Sequence, residues 1–232
     1  AAAEPPEKGK ITRLMMKSIA RYTRWLHGRW PAGTVEKLPI VGAGGSTGVP
    51  GLYVVGDLAG IHLLKFAADT GARTVRTIVG DPSFSKRDRL AGGAVRDLVI
   101  IGAGVSGLSA ALEARQLGVD VVVVEASEPF STIVNFPKEK PIYTYPIAMH
   151  HAGSLQLTAK VKEPLLAELQ QQAANAGIVP MAARVERVLR KGDALEVVFQ
   201  GGGTILAHRV IVAIGRSGNF RKLGVAGESR DK

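Results

Sequence analysis

Three glycines in the stretch Val99-Ile100-Ile101-Gly102-Ala103-Gly104-Val105-Ser106-Gly107 join an apolar run to a helical pattern, and a second apolar run ends at Glu125. The order strand, tight glycine turn, helix, strand and acid is what a bound dinucleotide requires. Gly102 permits the tight turn, Gly104 lets the backbone approach a pyrophosphate, and Gly107 lets the helix pack on the strand. The helix start offers unpaired N–H groups and a positive dipole end to phosphates. Ala103 and Ser106, in the same turn, are further candidate contacts. A carboxylate at Glu125 can accept hydrogen bonds from both ribose hydroxyls and would repel a 2′-phosphate. Glycine turns also occur in α/β proteins that bind nothing. Here the context is complete: Leu108, Ala111, Leu112 and Arg115 recur at helical spacing, Gly118 stops the helix, and Val119 to Val124 is almost wholly apolar.

The chain has 232 residues, 46% of them hydrophobic, enough to fold around a core. It contains no cysteine, which excludes a disulfide, a thiolate metal site and a Cys-x-x-Cys redox pair within it. Its apolar runs are strand length, so no transmembrane helix is expected. The start, Ala1 to Pro6, lacks the pattern of a signal peptide and lacks an initiator Met; a processed chain or a piece of a longer one is expected, with the cytoplasm as its location. The formal net charge is +10. Part of the excess lies in Lys10, Arg13, Lys17, Arg21, Arg24 and Arg29, interleaved with Ile11, Leu14, Met15, Ile19, Tyr22, Trp25 and Leu26. That spacing predicts an amphipathic helix over 10–30 with a basic face. It can lie on its own protein, the simplest reading, or on a membrane surface or a partner. Nucleic acid is not expected, because no recognition motif accompanies the charge.

Further along, Gly42 to Gly51 reads as a loop, Leu52 to Val55 as a short strand, 60–79 as a helix and 81–94 as a linker. After Glu125 comes a long irregular stretch, 126–154, rich in proline and aromatic residues, of the kind that often carries function. A helix over 157–176 follows. Strands over 183–190, 194–200 and 204–207 suggest a meander, and a last apolar strand over 210–214 ends at Gly215. His150 and His151 have no acid or cysteine at metal-ligand spacing, so they read as a polar loop and no metal site is expected.

Three segments together resemble the FAD-dependent pyridine nucleotide-disulfide oxidoreductases, nearest the thioredoxin reductase-like group. The first is Gly102 to Gly107 with Glu125, similar to that family's FAD adenosine and pyrophosphate site. The second is Val212-Ala213-Ile214-Gly215, similar to a strand-end Ala-Thr-Gly turn with Ile214 where Thr is usual. It continues into Asn219 to Glu228, which resembles the exit toward a nicotinamide domain. The third is Val49-Pro50-Gly51-Leu52-Tyr53-Val54-Val55-Gly56-Asp57, similar to the late flavin motif. The resemblance implies that Asp57, after Gly56, accepts a hydrogen bond from the ribityl chain, and that a helix starting near Gly60-Ile61 points its N-terminus at the flavin ring. A plain N-cap is the alternative for Asp57. It also implies that Asn135, in Asn135-Phe136-Pro137, reaches the ring edge, with Tyr143 or Tyr145 stacked nearby; ordinary loop packing is the alternative.

The order of motifs is circularly permuted, because the Gly-Asp motif precedes the glycine turn. Termini of a domain tend to lie close together, so permutation is physically reasonable and brings 50–79 beside Gly102 to Gly107. The fold expected is α/β: a Rossmann-like FAD-binding domain with a central parallel sheet and a three-stranded antiparallel β-meander. The expected organisation is a tail and basic helix (1–34), a permuted FAD-binding segment (35–80), a linker (81–94) and an FAD-binding domain (95–232), with no second glycine motif for a nicotinamide domain. The expected activity is transfer of electrons from NAD(P)H, bound on a domain outside this sequence, through FAD to a disulfide or other acceptor, protein or small molecule. A homodimer is compatible with it. The alternatives are an FAD- or NAD-binding module without turnover and a basic nucleic-acid or membrane-surface protein. No catalytic acid or base stands out.

Overall fold

Apolar residues occupy both faces of Val95–Ile101, and both faces are buried, which puts this run at the centre of a sheet. The computed structural model describes residues 38–84 and 95–216. The basic segment 10–30, most of the expected linker and Asn219 to Glu228 lie outside the described residues.

Among those residues the strands are β1 (Leu52–Val54), β2 (Val95–Ile101), β3 (Val121–Glu125), β4 (Met181–Ala182), β5 (Val185–Lys191), β6 (Ala194–Phe199) and β7 (Thr204–Val212). The helices are α1 (Leu64–Gly80), α2 (Val105–Gln116), the single turn α3 (Ser131–Val134) and α4 (Lys162–Asn175). Strands β4, β3, β2, β7 and β1 run parallel in that order. β5, β6 and β7 form an antiparallel meander. β7 therefore belongs to both systems. Residues 204–207 pair with β6, and residues 210–212 pair with β1 on the same side. Leu98, Ile100, Val123 and Ile211 face the helices, while Val99, Ile101, Val124 and Val210 face a second cluster with Leu195 and Val197 of the meander.

The helix layer is packed unusually closely. A Cβ on Gly71 of α1 would lie 2.3 Å from the Ser106 carbonyl of α2. Nearby, the Ser109 hydroxyl donates to the Ala68 carbonyl at 2.6 Å. α2 is buried from Val105 to Ala114 because α1 covers the side that the sheet does not. One charged pair is carried into this layer: Arg76 Nε donates to Glu113 Oε1 at 2.6 Å, and the buried carboxylate holds the guanidinium above its usual pKa.

Several expected boundaries are corrected. The helix expected over 60–79 begins at Leu64 and is preceded by a separate 3-10 turn, Gly56–Ala59. Gly60 has φ +108°, a left-handed conformation that a continuous helix cannot pass through. The helix expected from 157 begins at Lys162. Pro164 has no N–H to give to the Lys160 carbonyl, and that carbonyl instead accepts from Ile142 N–H at 2.8 Å. The strands expected over 204–207 and 210–214 are one strand, ending at Val212. The strand expected over 183–190 is β5, which begins at Val185; ahead of it, β4 extends the parallel sheet at a position where no strand was expected. The expected linker starts as packed structure: Phe84 is buried, and Arg209 of β7 donates to Asp81 and Ser83.

Candidate functional site

Because β3, β2, β7 and β1 are neighbours and parallel, their C-terminal ends share one rim. Glu125 ends β3, Gly102 follows β2, Gly215 follows β7, and Gly56 and Asp57 follow β1. Ligands of open α/β sheets bind outside the carboxyl ends of the strands.

The glycine turn is built from two kinds of position. Gly102 has φ +107°, and a Cβ there would lie 2.6 Å from the Ala213 carbonyl; a Cβ on Gly107 would lie 2.0 Å from the Gly102 carbonyl. These two glycines are required by the protein's own packing. Gly104 is different. Its φ of −80° and ψ of −170° suit any residue, and a Cβ there would meet nothing within 4 Å. The first helical bond of α2 runs from Leu108 N–H to the Gly104 carbonyl at 2.9 Å. The N–H groups of 105–107 thus have no partner within the helix and stand at its positive end.

Glu125 is tied directly to the turn. Its Oε2 accepts from Ala103 N–H at 2.7 Å, and its Oε1 accepts from Ser127 N–H at 3.0 Å and the Ser127 hydroxyl at 3.3 Å. A carboxylate offers about four acceptor positions, so one remains, on Oε2. The Ala103 carbonyl accepts from Phe130 N–H at 3.1 Å, which anchors the chain beyond β3 to the same turn.

Gly56 reaches this turn from the other side. A Cβ on Gly56 would lie 2.6 Å from Ser106 Oγ, so the Gly56–Asp57 turn lies against the first turn of α2. Its N–H donates to Thr70 Oγ1 at 3.0 Å, and Val55 N–H donates to the Val212 carbonyl at 3.0 Å. Asp57 lies inside the 3-10 turn, while the N-cap of α1 is Leu63; the N-cap alternative for Asp57 does not hold. Gly215, at φ +63°, also has open space where a side chain would stand.

Asn135 is placed at the C-cap of α3, where its Nδ2 donates to the Ser131 carbonyl at 2.7 Å. Tyr143 and Tyr145 are exposed and stack on each other, with centroids 6.0 Å apart. His151 Nε2 lies 2.6 Å from the Leu155 carbonyl.

Three residues near the rim carried no signal in the sequence. His62 Nδ1 lies 3.8 Å from Asp57 Oδ2, and Arg216 Nη1 donates to His62 Nε2 at 3.0 Å. Lys65, in the first turn of α1, directs its ammonium to the carbonyls of Pro146, Ile147 and Met149 at 2.8, 3.1 and 3.1 Å. It lines a cleft of about 270 Å³ with Ile147, His150 and His151.

Compared with known proteins, residues 99–232, more than half of the chain, match the family described as pyridine nucleotide-disulphide oxidoreductase. A ferredoxin–NADP reductase from Ignicoccus hospitalis is 28% identical over 134 residues, covering 58% of this chain and 41% of the relative. A thioredoxin reductase from Helicobacter pylori is 30% identical over 134 residues, covering 57% of this chain and 39% of the relative. Among solved structures, a bacillithiol disulfide reductase from Staphylococcus aureus is similar, at 19% identity and a TM-score of 0.48 over 58% of this chain and 43% of that one. The chain spans about two fifths of the length of the curated relatives it matches.

Proposed function

The chain belongs to the pyridine nucleotide-disulphide oxidoreductase family, and from that premise we propose that it binds FAD along the rim formed by β3, β2, β7 and β1. It serves as the flavin-binding part of a thioredoxin reductase-like oxidoreductase that passes electrons from NAD(P)H through FAD to a disulfide or another acceptor. The observation that carries this reading is Gly104. The protein's own packing gives no reason for a glycine there, whereas a pyrophosphate crossing the backbone does.

The residues present fit the group. The open acceptor position on Glu125 suits a ribose hydroxyl. The N–H groups of Val105, Ser106 and Gly107 suit the pyrophosphate, because they combine unpaired donors with the helix dipole. Asp57, at the far strand, suits a hydroxyl of the ribityl chain, and Gly215 leaves the rim clear between them. When bound, FAD supplies two-electron hydride chemistry; the chain supplies binding and orientation.

The test is reconstitution of the 232-residue chain with FAD. The expected outcome is a yellow protein that releases FAD on denaturation. Gly104→Val should weaken loading by about 100-fold or more while leaving the circular dichroism spectrum and melting temperature nearly unchanged, since the added side chain enters open space. Normal loading of that variant, or no uptake of FAD by the unsubstituted chain, would overturn the proposal. Loading tests the flavin-binding role by itself; rapid bleaching by NAD(P)H would show in addition that this chain admits the electron donor.

A further inference from the structure

The pair His62 and Arg216 joins the ends of two strands across the rim. Arg216 follows Gly215 beyond β7, and His62 lies between the Gly56–Ala59 turn and α1. A guanidinium has only donors, so Arg216 donates and His62 Nε2 accepts, while His62 Nδ1 is turned toward Asp57. At 3.8 Å the Asp57 carboxylate is beyond hydrogen-bond reach, and its nearer oxygen remains open to another donor.

Asp57 contributes one negative charge. Lys65 is spent on three loop carbonyls, at 2.8 to 3.1 Å. Arg216 is held by a ring nitrogen and not by a carboxylate, so its positive charge is not cancelled by its own partner. Strand order says which end of a dinucleotide it would face. Glu125 and Asp57 stand three strand spacings apart, about 14 Å at about 4.8 Å each. With the adenosine at Glu125, the opposite, ring-bearing end reaches β1, where Asp57, His62 and Arg216 lie.

We propose that Arg216, positioned by His62, is the counter-charge to the reduced flavin at the Asp57 end of the rim. This rests on the FAD reading above. On reduction the flavin takes up two electrons and one proton, and the remaining negative charge is shared by N1 and the C2 carbonyl of the ring. A cation beside that anion favours the reduced form over the oxidised one and makes the midpoint potential less negative. His62 is the positioning residue: it fixes the guanidinium without neutralising it.

The experiment uses the full chain loaded with FAD and reduced by dithionite against a reference dye, with Arg216→Met, Arg216→Lys and His62→Ala beside it. Arg216→Met should bind oxidised FAD nearly as well as the unsubstituted chain. It should bind reduced FAD at least about tenfold more weakly, with the midpoint potential displaced to more negative values by the thermodynamic cycle. Arg216→Lys should retain most of the original potential, and His62→Ala should fall between. An unchanged potential in Arg216→Met would overturn the assignment. Equal weakening of oxidised and reduced FAD would also overturn it, because it would put Arg216 on the phosphates. Either result leaves the FAD reading standing, whereas failure of the unsubstituted chain to take up FAD would end both.

Discussion

Two consecutive stretches of this chain are held in place by opposite means. Residues 95–125 form β2, the glycine turn, α2 and β3, and are fixed by backbone pairing and apolar burial, β2 between β3 and β7 and α2 beneath α1. Residues 126–161 hold little regular structure beyond one helical turn, yet they are pinned at many points by side chains from elsewhere. Lys65 holds 146–149. Asp69 accepts from Ala152 N–H at 2.8 Å. The buried Lys162 donates to the Phe136 carbonyl at 2.6 Å, and Glu168 accepts from Thr158 and Ala159. The lesson is that order does not require repeat structure. It requires that each backbone group have a partner, and a charged side chain can serve where a strand does not.

The comparison can be broken most severely at Gly107. Gly107→Ala should cost about 3 kcal/mol or more, because its Cβ would lie 2.0 Å from the Gly102 backbone carbonyl and neither strand nor helix can yield. Urea unfolding would measure it. A loss under about 1 kcal/mol would mean that the turn is looser than its backbone pairing implies. Gly104, three positions earlier and open, is the matched control.

A smaller and local effect is expected at Lys65. Lys65→Met removes three charge-assisted hydrogen bonds, worth about 1 to 3 kcal/mol together, yet leaves the sheet intact. Limited proteolysis should open 143–150 first, with 95–125 protected as before. Equal protection of both stretches in the variant would show that the pin is dispensable.

The smallest effect is pH-dependent. Burial disfavours the Glu168 charge, but hydrogen bonds from the Thr158 hydroxyl and from Ala159 and Thr158 N–H outweigh it and hold the carboxyl below its ordinary value of 4.5. A lowered folded-state pKa gives stability that is present above about 4.5 and lost as pH falls through the folded value. Glu168→Gln should therefore be less stable than the original chain near neutral pH, and the difference should vanish below the folded-state pKa. Denaturant midpoints across a pH series would check it. A difference independent of pH would point to packing instead of charge.

The strand, glycine turn, helix and acid of 99–125 were legible from residue order, because each requirement there is local. An apolar run seeks burial, and a backbone that doubles back sharply tolerates no side chain. Two boundaries that were misplaced also had local signals. Gly60 marks the break before α1, and Pro164 marks the start of α4. The union of two expected strands into β7 had none. His208 and Arg209 look like a polar interruption, and they lie where β6 leaves β7 and β1 joins it. Lys65, His62 and Arg216 were equally silent, since each acts on a partner at least 81 positions away in the pairs from Lys65 and 154 away between Arg216 and His62.

The amino-acid order alone determined which residues must turn, which must be buried and which acid closes the unit, through steric and hydrophobic demands satisfied among near neighbours. The family resemblance already placed 50–79 beside Gly102 to Gly107; only the tertiary structure decided the order in which these strand ends share one rim, because parallel pairing of β1, β7, β2 and β3 joins segments whose separation along the chain does not say which will be neighbours.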